Sequence, residues 1–164
     1  MNILKTQSER GVIHIKCRDL YKQDIDRTIT DHLQKRYGDV CGKNGYVIGS
    51  SIQLIDRTIG KLVSIDTESC IEYRVTYKMQ AIYPSPEDKY DCIIENNTKM
   101  GLIAYLDYSQ NDEQVTLKNS PILFIIPVDF GGSGLTVGDK ATVSVLDSRI
   151  KFQSRQIQCV AKIS

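Results

Sequence analysis

Glu72-Tyr73-Arg74-Val75-Thr76-Tyr77-Lys78-Met79-Gln80-Ala81 is the stretch that decides how this chain folds. Ile71, Tyr73, Val75, Tyr77, Met79 and Ala81 point one way, while Glu72, Arg74, Thr76, Lys78 and Gln80 point the other. A sustained period of two reads as a strand with one face in a core and one in water. Upstream, the glycine-punctuated Val40-Cys41-Gly42-Lys43-Asn44-Gly45-Tyr46-Val47 reads as a hairpin turn, because Asn and Gly tolerate the positive φ that tight hairpins demand.

Working outward, residues 11–16 alternate Val12, His14 and Lys16 with Ile13 and Ile15, which predicts a first strand. Over 24–37 the period lengthens: Ile25, Ile29, Leu33 and Tyr37 recur every fourth residue on an otherwise charged segment, the narrow stripe of a helix. Asp24 and Asp26 lie near its start and Lys35 and Arg36 near its end, as the helix dipole favours, and Gly38 ends it. Strands follow at 40–41, 46–55 and 69–82, with a turn at 56–61. Residues 1–83 therefore read as a helix on one face of a small antiparallel sheet.

Tyr83-Pro84-Ser85-Pro86-Glu87-Asp88 breaks the pattern, since proline donates no ladder hydrogen bond and restricts the residue before it. Beyond it, residues 84–164 carry strand patterns at 90–96, 100–106, 122–127, 141–146 and 156–163, separated by turns at 97–99, 131–134 and 138–139. Five short strands of this kind, with Gly101 early in the second, suit a small Greek-key barrel of the oligonucleotide-binding type. The fold class expected is α+β, mostly β.

The chain has 164 residues, 41% hydrophobic and 25% charged, with a net charge of +1. That balance excludes a nucleic-acid packager, which needs clustered cations dominating its field, so any nucleic-acid contact is local. The polar opening lacks the apolar core of a secretory signal, and no run nears the roughly 18 apolar residues of a membrane span. An intracellular protein without a membrane segment is expected. Cys17, Cys41, Cys70, Cys92 and Cys159 stand far apart with no Cys-x-x-Cys, so buried reduced thiols are expected and no metal or cofactor. Gly131-Gly132-Ser133-Gly134 lacks the Lys of a phosphate loop, and Leu135 stands where a nucleophile elbow needs glycine. No histidine is placed by spacing as a base for Ser133 or a thiol, and no catalytic site is expected.

Taken in order, Val40-Cys41-Gly42 with Gly45-Tyr46-Val47, residues 73–83 with Pro84, and Asn97-Thr98-Lys99-Met100-Gly101-Leu102-Ile103-Ala104 make a set. Pro121, Phe124, Pro127, Gly138-Asp139 and residues 145–149 continue it. The set resembles the seventh-subunit family of multisubunit DNA-directed RNA polymerases, whose archaeal members are called E-prime. Short barrel loops and an Ile-, Lys- and Asn-leaning composition look most like the versions carried by large cytoplasmic DNA viruses. The resemblance implies a ribonucleoprotein-like tip domain followed by an S1-type barrel. It also implies a non-catalytic stalk subunit whose partners are the large polymerase subunits, a small helical polypeptide of the fourth-subunit type, and nascent single-stranded RNA. Cytoplasm or virion would be its place if viral, the nucleus if a cellular eukaryotic copy.

By the same resemblance, Cys41, Gly42, Lys43, Asn44, Gly45 and Tyr46 form the turn that enters the core enzyme; an ordinary hairpin accounts for the same residues. Met100, Ile103 and Ile125 stand where strong S1 binders carry rings or a histidine, which leaves Tyr105 and Phe124 as the RNA-stacking candidates, although alternation also allows them to be core. Lys99, Lys140, Arg149 and Lys151 are the phosphate candidates on one side of the barrel, and a solvated turn explains each singly. A free-standing S1-type RNA-binding regulator is the alternative function, and a small hydrolase a distant third.

Overall fold

The computed structural model describes residues 3–109 and 113–164; Met1 and Asn2, where the polar opening starts, lie outside the described residues. In chain order the elements are β1 (Lys5–Lys16), α1 (Ile25–Tyr37), β2 (Cys41–Gly42), β3 (Gly45–Val47), β4 (Gln53–Arg57), β5 (Lys61–Ile65), β6 (Glu68–Ile82), β7 (Lys89–Thr98), β8 (Gly101–Leu106), β9 (Ile122–Pro127), β10 (Lys140–Arg149) and β11 (Ile157–Ile163). The described chain is mostly β, with one α-helix. It divides into two compact units, Leu4–Asp39 with Val47–Ala81, and Val40–Tyr46 with Ile82–Ser164 and Ile3.

In the first unit β6 is the central strand. β1 runs antiparallel to it from Lys5 opposite Ala81 to Lys16 opposite Cys70, and β4 and β5 pair with it antiparallel as well. The inward half of the alternation, Tyr73, Val75, Tyr77 and Met79, meets Ile13 and Ile15 of β1 and Ile29 and Leu33 of α1 in one core, with Ile25 and Tyr37 packed at its margin. The four-residue stripe on α1 is thus its buried edge. Tyr37 stacks on Tyr77 at 5.8 Å and 18°, a geometry that adds a specific aromatic contribution to area burial. The helix starts after Asp24, whose carbonyl accepts from Thr28 N–H at 2.9 Å, and ends with Gly38 N–H donating to Gln34 O.

Local differences from expectation have simple causes. β1 begins at Lys5 rather than 11, because β6 is long enough to pair with the polar Lys5-Thr6-Gln7-Ser8-Glu9-Arg10 run along its whole length. The run expected as one strand over 46–55 is interrupted by a 3-10 turn at Gly49–Ser51, where Ser51 Oγ donates to Ile48 O and Gly49 N–H is capped by the Asp39 carboxylate. β5 was absent from the sequence pattern because its side chains, apart from Val63, stand in water.

The second unit contains a closed barrel in the order β10-β11-β9-β8-β7. All neighbours are antiparallel except β9 and β11, which run parallel from Ile122 opposite Ile157 to Ile125 opposite Val160. With the five strands counted from β7, the closed order is 1-2-3-5-4-1, an oligonucleotide-binding-like barrel. Tyr90, Cys92, Ile94, Leu102, Ala104, Phe124, Ile126, Val143, Val145, Cys159 and Ala161 are its buried interior. Gly101 holds φ +150, and a Cβ there would lie 2.2 Å from Ile126 O, so glycine lets β8 and β9 close together at that corner.

The β2–β3 hairpin belongs to this barrel-containing unit. Cys41 N–H donates to Ser154 O at 2.7 Å and Cys41 O accepts from Gln153 N–H at 2.9 Å, so the hairpin pairs with the turn between β10 and β11.

Candidate docking and nucleic-acid surfaces

The hairpin offers less surface than its sequence implies. Cys41, Gly45 and Tyr46 are buried, Gly42 and Asn44 are half-buried, and only Lys43 of the six stands in water. Gly45, at φ +108, has its backbone against Ile82: a Cβ would meet the Ile82 carbonyl at 2.2 Å. The close backbone approach that the glycines permit is therefore made within the chain, and the Cys41 and Tyr46 side chains are buried. Burial pushes the Cys41 thiol up to about 11.

On the barrel, the outer side of β8 and β9 is the surface that oligonucleotide-binding barrels present to ligands, flanked by the loops after the first and fourth strands. The register places Ile103 opposite Ile125, Tyr105 opposite Leu123 and Gly101 opposite Pro127. This face is apolar. Ile125 is 42% exposed, Met100 84% and Val128 61%. Phe124 has no exposure at all and packs on Tyr90 inside the barrel at 5.9 Å; the expected stacking role for Phe124 is corrected, because alternation along β9 turns it inward. Tyr105 is on the outer side of β8 but only 8% exposed. Burial raises its phenol, as do the Glu95 and Asp107 carboxylates, charges that repel a phosphate.

The basic residues do not share one side. β10 starts near the middle of β7, with Lys140 opposite Ile93, and runs to Arg149 opposite Gln158 at the start of β11. Lys140 and Arg149 are nine residues apart on this strand, roughly 30 Å at about 3.3 Å per residue. Lys99 sits in the β7–β8 turn toward the Lys140 end, and Lys151 follows Arg149 at the other. The expected single row is corrected: Arg149 and Lys151 lie together at one end, whereas Lys99 is at the far end of β8 from Asp107, with which Lys140 is already paired at 3.4 Å. Strand spacing alone carried no information on which end of the barrel each loop closes.

A cationic surface that the sequence pattern did not single out lies on the first unit. The outward residues of β1 include Ser8, Arg10 and Val12, facing Lys78, Thr76 and Arg74 respectively across the ladder. Arg10, Arg74 and Lys78 are exposed and none has an ion pair among the described residues. A shallow groove of about 510 Å³ runs past Arg10, Arg74 and Thr58, with Asp56 at its rim. The available signal was the polar half of the alternation in β6, which on its own reads as the wet side of a strand.

Nucleophiles are poorly served. Burial pushes Cys92 and Cys159 up to about 12, and Ser133 stands on an exposed loop. Among the described residues no three His, Cys, Asp or Glu side chains gather into a metal-binding group, and no described helix is long and apolar enough to cross a membrane. No protein-family model and no curated protein matches this chain.

Proposed function

We propose that this protein is a non-catalytic stalk subunit of a DNA-directed RNA polymerase: a ribonucleoprotein-like tip domain and an S1-type barrel that dock on the large subunits, pair with a small helical partner and contact nascent RNA. The observation that carries the reading is apolar surface left in water on both units of an otherwise ordinarily charged chain. On the barrel unit it comprises Ile125, Met100, Val128 and Val137; on the first unit, Ile55, Ile59 and Leu62 along β4, β5 and the link between them, which follow one another against β6, with Ile59 93% and Leu62 70% exposed. Exposed apolar groups grouped on one element favour a protein partner, and a stable one buries about 800 Å² per side. The helix-on-sheet unit followed by an oligonucleotide-binding-like barrel supports the same reading through the order of its parts. Affinity purification from the native source followed by mass spectrometry tests it: large polymerase subunits co-purify with the wild type and are lost with Ile125→Arg/Val128→Asp. Their absence from the wild-type eluate discards the stalk.

The second reading, a free-standing S1-type RNA-binding regulator, draws on Lys99 at one end of the β8–β9 face and Arg149 with Lys151 at the other. It predicts a monomer with no stoichiometric protein partner, which sedimentation of the native material separates from the first.

A further inference from the structure

We propose that the solvent face of the β1–β6 ribbon is a phosphate-binding surface for nucleic acid, in which Arg10, Arg74 and Lys78 hold backbone phosphates and Ser8 and Thr76 donate beside them. Alternation along two paired strands delivers these side chains to one face: Ser8 opposite Lys78, Arg10 opposite Thr76, Val12 opposite Arg74. Arg10 and Arg74 are diagonal neighbours across the ladder, about 7–8 Å apart by the geometry of an antiparallel pair. Arg74 and Lys78 are four residues apart on one strand, about 13 Å. Between Thr6 and Val12 on β1, and Arg74 and Gln80 on β6, no outward position holds a carboxylate. One acid borders the group, Asp56 of β4 opposite Thr76; the others of this face lie farther along, where His14 meets Glu72 at 3.0 Å and Lys16 meets Glu68 at 3.3 Å. The cations at the centre are left over after the local ion pairs are made.

The character of the ligand follows from what surrounds them. Arg, Lys, Ser, Thr and Gln are the side chains that proteins use on phosphate oxygens, and here they stand with Val12 as the sole apolar residue among these outward positions. A protein partner needs a desolvated aromatic or aliphatic anchor, which this face does not offer. It has no ring on which a base can stack either, so it holds the phosphodiester backbone without reading sequence. Engaging three phosphates gives a log–log salt slope of about −2 for a single strand and about −2.7 for a duplex. This inference rests on the charge pattern and is independent of the polymerase reading.

The test is fluorescence anisotropy of the full chain with a labelled oligouridylate 20-mer, and separately a 20-base-pair duplex, from 50 to 200 mM salt. The wild type is expected to bind at least one of them with the slope stated, and whichever binds identifies the source of the phosphates. Arg10→Gln/Arg74→Gln/Lys78→Gln should lose at least tenfold in affinity at 50 mM and flatten the slope, whereas Lys35→Gln/Lys118→Gln/Lys162→Gln, which removes three exposed charges outside this face and outside the barrel candidates, should retain it. Because the three positions are exposed, folding is expected to survive, and Arg10→Lys/Arg74→Lys checks this by keeping the charge and the slope. The proposal is overturned by a wild-type slope in the first triple variant. Binding of an acidic polyglutamate peptide with no binding of either nucleic acid also overturns it, and assigns the face to an acidic protein. Polymerase subunits missing from a pull-down would leave it standing.

Discussion

Replacing Phe124 separates a core ring from an RNA-stacking ring, because the two roles predict effects of similar size on different quantities. The ring has no exposed surface and lies 5.9 Å from Tyr90 at 39°. Phe124→Ala removes a large buried side chain and leaves a cavity lined by the barrel strands, which costs about 3–5 kcal/mol. Against a total of roughly 5–15 kcal/mol for a native protein, that leaves the barrel marginal. Phe124→Leu keeps most of the volume and costs about 1–2 kcal/mol, between a conservative swap and full truncation. A stacking ring would instead lose about 1–3 kcal/mol of RNA affinity per base and almost no stability. Since the chain has two compact units, a single melting curve mixes them. Peptide-resolved hydrogen exchange reads each one. Opening free energies of β8 and β9 amides should fall by the amounts given, those of β1 and β6 should hold within about 0.5 kcal/mol, and Phe124→Leu should bind oligouridylate like the wild type. A Phe124→Ala cost below about 1 kcal/mol, or a tenfold affinity loss in Phe124→Leu at unchanged stability, would refute the burial argument.

Gly45→Ala places a Cβ at 2.2 Å from Ile82 O at φ +108, so it should lower the opening free energy of the barrel-unit amides by at least about 2 kcal/mol, read by hydrogen exchange. Gly42→Ala, whose Cβ meets nothing within 4 Å, should be neutral in the same measurement. Burial raises Cys41 from 9.0 to about 11, and Cys92 and Cys159 from 9.0 to about 12. A group whose folded pKa is raised contributes fully below its unfolded pKa; stability should therefore be level below pH 9 and fall as pH climbs through 9 toward 11–12. The limiting slope is about 1.4 kcal/mol per pH unit per thiol. Urea titrations from pH 8 to 10.5 check the sign, which Cys→Ser variants should weaken. For the same reason a disulfide reagent at pH 8 should label half-buried Cys17 first and reach the buried thiols only at the rate of unfolding.

What was legible in the sequence was whatever burial enforces. The inward residues of β6, the four-residue stripe of α1 and the five strand runs of the barrel all had to be apolar at fixed periods to make a core, so the helix-on-sheet and barrel parts could be read from spacing. β5 was missed because a strand whose side chains stay in water has no apolar half to announce it. The extension of β1 back to Lys5 was missed for a related reason: its partner determines it, and pairing with β6 is a long-range fact. Phe124 was ambiguous since an aromatic in a strand suits either face, and one residue of register decides between them. The four barrel cations illustrate a different loss. Each was rightly expected to be exposed, but which end of a barrel a loop occupies depends on the order in which strands close, and spacing along the chain does not encode that order.

The outward half of an alternating strand is the half that folding leaves free, so its composition carries more about partners than the core does. β8–β9 and β1–β6 spend that freedom in opposite ways. Ile125 is apolar at an exposed position, flanked by half-buried Ile103 and Leu123, and each Å² of such surface covered by a partner contributes about 25 cal/mol. Arg10, Arg74 and Lys78 are charged, without ion pairs among the described residues, where Thr or Gln would fold as well. Three like charges this close repel one another until an anion sits among them. The first arrangement gains from a dry neighbour and the second from a phosphate. On the reading proposed here, the barrel, which by its architecture alone would be assigned to RNA, takes the protein partner, and the sheet that would be assigned to docking takes the anion. Exchanging the outward residues, with Ile125→Lys on the barrel and Arg74→Ile on the sheet, should move binding the opposite way on each: weaker co-purification from the first, a shallower salt slope from the second, and neither effect from the other.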